Sequence, residues 1–140
     1  MIFHKTKLLG VVAIELEFNR DEHGFFARSS CQQEFEKQGL NPKIVQCSTS
    51  FNARKGTLRG MHYQAAPYGE TKLVRCTMGA IYDEIIDLRT DSPTFRKGIG
   101  FTLTAENRGM AYIPQGCAHG FLTLKDESEV FYQMSEFHRP

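Results

Sequence analysis

The sequence predicts an all-β protein, a sandwich or barrel of short strands with one short helix. Three observations carry that reading. Segments of alternating polar and apolar residues, rich in β-branched and aromatic side chains, recur along most of the chain. Turn signals such as "APYGE", "RTDSPTF", "AENRG", "PQG" and "KDES" separate them. The length, 140 residues, suits a single domain spanning 1–140, with a real core but no room for a second one.

The elements follow in order. "MIFHKTKLLGVVAIELEF" opens with lysines and apolar residues like a signal peptide, but Glu15 and Glu17 interrupt the run and no cleavage site follows, so it reads as strand. A helix is predicted over residues 30–38, with Ser30 as cap, Gln33 completing a capping box and Gly39 as the stop. The strands "KIVQCSTSF", "GTLRGMHYQ", "KLVRCTMG", "AIYDEIIDLR", "GIGFTLTA", "MAYIP", "GFLTL" and "EVFYQMS" complete the chain.

A net charge of +1 with 24% charged residues gives no basic surplus for nucleic acid or an anionic membrane. No apolar run approaches the roughly 20 residues of a membrane span. The four cysteines, Cys31, Cys47, Cys76 and Cys117, are scattered without zinc spacing, as free thiols of a cytoplasmic protein would be.

Polar residues in strand positions point to chemistry, because burying them costs stability unless each finds a partner. Alternation in "AIYDEIIDLR" puts Ile81, Asp83, Ile85, Asp87 and Arg89 on one face, as in a strand lining a polar cavity. "GTLRGMHYQ" holds Arg59, His62, Tyr63 and Gln64. Parity sends Arg59 and His62 to opposite faces, so a shared cavity requires a bulge at Gly60. Taken singly, a strand histidine is more often structural than catalytic, and a tyrosine is more often core. Tyr63, Tyr82 and Tyr112 stay in the core category; His4 and His138 have no supporting context.

Pro114-x-Gly116-x-x-His119 resembles the second motif of the cupin superfamily, which implies a cupin-type jelly-roll of two antiparallel sheets. The first motif would need His-x-His, and this chain has His62 and Gln64. One histidine per motif is too few for a tight first-row metal site, so no metal is expected; His62, His119 and a carboxylate are the set that could hold one.

A longer resemblance covers nearly the whole chain. "GTLRGMHYQ", "KLVRCTMGAIYDEIIDLRTDSPTF", "YIPQGCAHGFLTL" and "EVFYQ", in this order and spacing, resemble the dTDP-4-dehydrorhamnose 3,5-epimerase family. That implies a cofactor-independent epimerase acting on a nucleotide-linked 4-keto-6-deoxy sugar at C3, C5 or both. It also implies a homodimer, which would cover the edge of the N-terminal strand at residues 10–17. By the resemblance His62 is the base, Tyr132 the acid and Lys72 the cation at the enolate oxygen. Arg59 and His119 meet the diphosphate. His23, Phe26 and Arg28 in "DEHGFFARS", and Gln46 and Ser48 in "VQCSTS", fall in the nucleotide-binding segments.

The departures are specific. His23 stands where the family usually has Arg, Arg28 where Glu is common, Ser48 where Asn is common, and His138 near an aromatic position. The family's carboxylate that orients the catalytic histidine lies beyond Pro140, so Asp83 is expected to reach His62 or Lys72 in its place. A sugar-nucleotide keto-isomerase, a sugar-nucleotide binding module and a metal-dependent oxygenase are the alternatives.

Overall fold

The computed structural model describes all 140 residues. The chain runs β1 (Ile2–Lys5), β2 (Val12–Glu15), β3 (Asn19–Asp21), β4 (Gly24–Phe26), α1 (Gln32–Lys37), β5 (Gln46–Asn52) and β6 (Leu58–His62). It continues through β7 (Lys72–Met78), β8 (Ala80–Asp87), β9 (Gly98–Thr104), β10 (Met110–Ile113), β11 (Cys117–Thr123) and β12 (Ser128–Met134). One sheet has the order β1-β2-β10-β7-β12-β5, the other β6-β11-β8-β9, and β3-β4 stands as a separate hairpin. Every pairing is antiparallel. This is the predicted fold class.

Two apolar clusters hold the sheets. The inner faces bury Val74, Ile81, Ile85, Ile113, Phe121 and Val130 between them. The outer face of the six-stranded sheet is covered where α1 lays Phe35 against Leu73, Met110 and Tyr112. Phe35 meets Phe3 and Tyr112 edge-on, with ring centroids 5.6 and 6.1 Å apart. Burying one such side chain stabilises by about 1.5–3 kcal/mol.

The helix is shorter than predicted. Its N-cap is Cys31, in extended conformation with no side-chain cap bond, so Ser30 does not cap it and Gln33 lies within its first turn. Its end is as expected. Gly39 takes φ +71°, and the N–H groups of Gly39 and Leu40 donate back to Glu36 and Phe35, closing the helix in a Schellman turn.

The N-terminal run is two strands. Thr6 Oγ1 donates to the carbonyls of Leu8 and Val11, which folds the chain back at Gly10. The hairpin β3-β4 has no counterpart in the predicted strands; Asp21 Oδ1 accepts the His23 N–H at 2.8 Å and makes its turn. Strand β11 begins at Cys117, three residues before the predicted "GFLTL", and so includes His119.

Gly60 carries the bulge that parity required. His62 pairs with His119 and Arg59 with Phe121, so three steps on β6 match two on β11. Arg59 and His62 therefore share the inner face. Gly60 has φ +104°, and a Cβ there would lie 2.7 Å from Gly120 Cα, so only glycine fits.

Asp87, at the end of β8, secures the loop to β9. Arg89 Nε donates to it at 2.8 Å, Ser92 Oγ at 2.6 Å and Thr94 Oγ1 at 2.6 Å. Burial pushes this carboxyl up, but the hydrogen bonds, led by that of Arg89, override it and hold the group well below the usual carboxylate range. A folded-state value below the unfolded one gives stability that is present above about pH 4 and lost as pH falls further. Asp87→Asn is therefore expected to destabilise by about 2 kcal/mol at pH 7 and by much less at pH 2–3. Urea denaturation at both pH values checks this.

Candidate active site

The inner face of β8 reads Ile81, Asp83, Ile85, Asp87, on one face as alternation predicted; all four are buried, and Ile81 and Ile85 belong to the apolar core, so the strand does not line a polar cavity as expected. Asp83 is fully buried and accepts from His119, with Nδ1 to Oδ1 at 3.0 Å. With the carboxylate accepting, Nδ1 carries the hydrogen; Nε2 accepts in the neutral ring and donates in the imidazolium. The His119 ring meets Tyr132 edge-on at 5.9 Å between centroids.

Asp83 does not reach His62 or Lys72, which corrects the expectation. The strand order is β6-β11-β8, so His119 on β11 stands between Asp83 and His62. Two strand spacings, about 9.6 Å, are too far for a direct bond. Lys72 lies on the opposite sheet and pairs instead with Glu70, Nζ to Oε1 at 3.0 Å.

His62 and Lys72 line one cleft, with Met61, Tyr63, Glu70 and Met134, of about 480 Å³. That is ample for a hexose and within the usual range of ligand sites. His62 is solvent-exposed there. Gln64, in the place of the cupin's second histidine, acts as a backbone clamp. Its amide donates to the carbonyls of Tyr68 and Phe137 at 2.6 and 3.0 Å and accepts the Arg139 N–H at 2.9 Å. This draws His138 to the cleft wall. No group of three His, Cys, Asp or Glu side chains stands close enough to share a metal ion.

Tyr132 projects from the facing sheet, paired with Ser48 on β5 and Val74 on β7. Burial, and then the charge of Asp83, push its phenol well above the ordinary tyrosine range, only partly offset by Arg59 and the Ser50 hydroxyl. It is a protonated donor at neutral pH.

Edge strand β5 presents Gln46, Ser48, Ser50 and Asn52 on the same face. Gln46 Oε1 accepts the His138 N–H at 3.3 Å. Asn52 is 2% exposed, and its Oδ1 accepts from Arg59 Nε at 2.6 Å. The guanidinium is thus held by Nε, leaving its terminal nitrogens for an anion. Ser50, Asn52 and Glu70 were missed by the sequence reading. The alternation of "QCSTSFN" carried the signal for the first two; Glu70 had none.

Three expected site residues lie elsewhere. His23 is 85% exposed in side chain and faces Glu22. Phe26 is 74% exposed. Arg28 pairs with Glu34, Nη1 to Oε1 at 2.9 Å, beside the N-terminal amine. All three belong to β3-β4 or the segment leading to α1, separate from the two main sheets.

A family model described as dTDP-4-dehydrorhamnose 3,5-epimerase matches residues 5–140. The chain belongs to that family. It is 44% identical to the dTDP-4-dehydrorhamnose 3,5-epimerase of Shigella flexneri over 135 residues, 96% of this chain and 74% of the relative. The crystal structure of the Bacillus anthracis family member with TDP and PPi bound superposes with TM-score 0.95 at 38% identity, covering 99% of this chain and 79% of that one. The Legionella pneumophila family member, solved in complex with dTDP-4-keto-L-rhamnose, gives TM-score 0.91 at 34% identity, covering 99% of this chain and 73% of that one.

Proposed function

We propose that this chain epimerises a dTDP-linked 4-keto-6-deoxy sugar at C3, C5 or both, by removing a proton from one face of the ring and returning one to the other. The observation that carries this is the placement of two groups on different sheets with His119 between them. The exposed imidazole of His62 is on β6, paired with His119 on β11, and the His119 ring meets the phenol of Tyr132, on β12 of the other sheet, with centroids 5.9 Å apart.

The 4-keto group acidifies the hydrogens on C3 and C5, and a side chain poised near neutral pH suits their removal. His62 takes the proton. The electron pair moves into the ketone, and the Lys72 ammonium meets the negative oxygen as it forms. Tyr132 delivers a proton from the opposite side and is later reprotonated from solvent. The carbon skeleton neither gains nor loses electrons, so the reading assigns no cofactor. Arg59, steered by Asn52, holds the diphosphate, with His119 beside it. Gln46 and Ser48 continue that polar stripe toward the nucleotide.

His23, Phe26 and Arg28 fit the same reading through a homodimer. In one chain they lie outside the cleft, and an exposed Phe26 is a natural contact for a second copy. Sedimentation at micromolar concentration checks this, with a dimer expected.

The activity is tested by incubating the protein with dTDP-4-keto-6-deoxyglucose and following the sugar ring by NMR. Appearance of a C3- or C5-inverted product supports the proposal; unchanged substrate at high enzyme concentration contradicts it. Arg59→Ala is expected to weaken dTDP binding by about 10–100-fold, the loss of charge-assisted hydrogen bonds worth roughly 1.5–3 kcal/mol. Calorimetric titration with dTDP measures it.

A further inference from the structure

Glu70 is the carboxylate in the cleft that the proposed reaction leaves without a role. It stands two residues before Lys72, and one of its oxygens holds the ammonium at 3.0 Å, with side-chain exposures of 6% for Glu70 and 13% for Lys72. Its other oxygen is buried and meets no hydrogen-bond donor. The backbone beside it is fixed: Thr71 N–H donates to Ser135 Oγ at 2.8 Å, and Ser135 N–H returns to the Thr71 carbonyl at 3.1 Å. Both residues are buried.

A half-satisfied buried carboxylate is a poor device for stability, because its desolvation is only partly offset. Its geometry is better explained by what it does to Lys72. A lysine stem has four rotatable bonds and three donors, and nothing in the stem selects a direction. One acceptor on a rigid backbone fixes one N–H and leaves two for the cleft. A carboxylate suits this task because it only accepts. An amide could turn its own NH2 toward the ammonium and lose the grip.

We propose that Glu70 is a positioning residue, which aims the Lys72 ammonium at the place where the ketone oxygen becomes an enolate. The proposal rests on the epimerase reading above. Its effect belongs to the chemical step, since the diphosphate is held elsewhere, by Arg59.

The test is a double-mutant cycle on the full chain. Deuterium uptake from heavy water into dTDP-4-keto-6-deoxyglucose is measured for wild type, Glu70→Gln, Lys72→Ala and the double variant. Glu70→Gln is expected to lower kcat for exchange by about 10–100-fold, the scale of a misplaced catalytic group, with KM unchanged within about twofold. In the Lys72→Ala background the same substitution should cost nothing further. Equal losses in both backgrounds would mean that Glu70 acts only on the fold, and would overturn the proposal. So would a single variant with wild-type kcat. Should Glu70→Gln fail to fold, Glu70→Asp, which keeps the charge but draws it back by one methylene, goes through the same cycle. There too a loss confined to the Lys72 background supports the proposal, and equal losses overturn it. A wild type that takes up no deuterium overturns the epimerase reading and this proposal with it. Wild-type exchange beside an unaffected Glu70→Gln overturns this proposal alone.

Discussion

His62→Ala is expected to lower deuterium exchange at the sugar's C3 and C5 by about 10²–10⁴-fold, the contribution typical of a positioned general base. Affinity for dTDP should stay near wild type, because the grip on the diphosphate is assigned to the Arg59 guanidinium, which Asn52 holds independently of the imidazole. His62 is exposed in the cleft rather than packed in the core, so truncating it opens no cavity. The folded fraction should accordingly be unchanged. Exchange rates by NMR and dTDP titration on the same sample separate the two effects. Equal loss of both would make His62 a binding residue.

Tyr132→Phe should produce a different defect, and a diagnostic one. The phenol is held protonated by burial and by the neighbouring Asp83 charge, so its part is to give a proton to the face opposite His62. Without it, His62 can still remove a proton and return solvent hydrogen to the same face. Inversion is then expected to fall by about 10²–10⁴-fold, while deuterium uptake with retention persists at a much higher rate. Product stereochemistry and isotope content, read from one spectrum, check both. Parallel loss of exchange and inversion would place Tyr132 in proton removal instead.

Much of this site was legible because strand alternation is local. That Ile81, Asp83, Ile85 and Asp87 share a face of β8 follows from period two alone, and the Gly60 bulge follows from requiring Arg59 and His62 to share a face. What failed was the partner of Asp83. Its distance from His62 depends on β11 inserting between β6 and β8, a fact of strand order that no window of sequence contains. The same holds for Glu70: its hold on Lys72 is short in sequence, but the backbone beside it is fixed by the return of the chain at Ser135. The missed helix cap has a simpler cause. Ser30 and Cys31 are adjacent, and the helix begins one residue later than the capping pattern placed it, so the hydroxyl stands one position before the cap. The separate β3-β4 hairpin explains why His23, Phe26 and Arg28 fall outside the cleft although the family resemblance groups them with the nucleotide segments.

The central claim is that His62 and Tyr132 move protons on opposite faces of a ketosugar. It is tested most directly by incubating the wild-type protein with dTDP-4-keto-6-deoxyglucose in heavy water and locating deuterium on the ring. The account predicts deuterium at C3, C5 or both, on carbons whose configuration has inverted. Protection of the protein against thermal unfolding by the sugar nucleotide, with no deuterium at either carbon, would contradict it and leave a chain that binds without turnover.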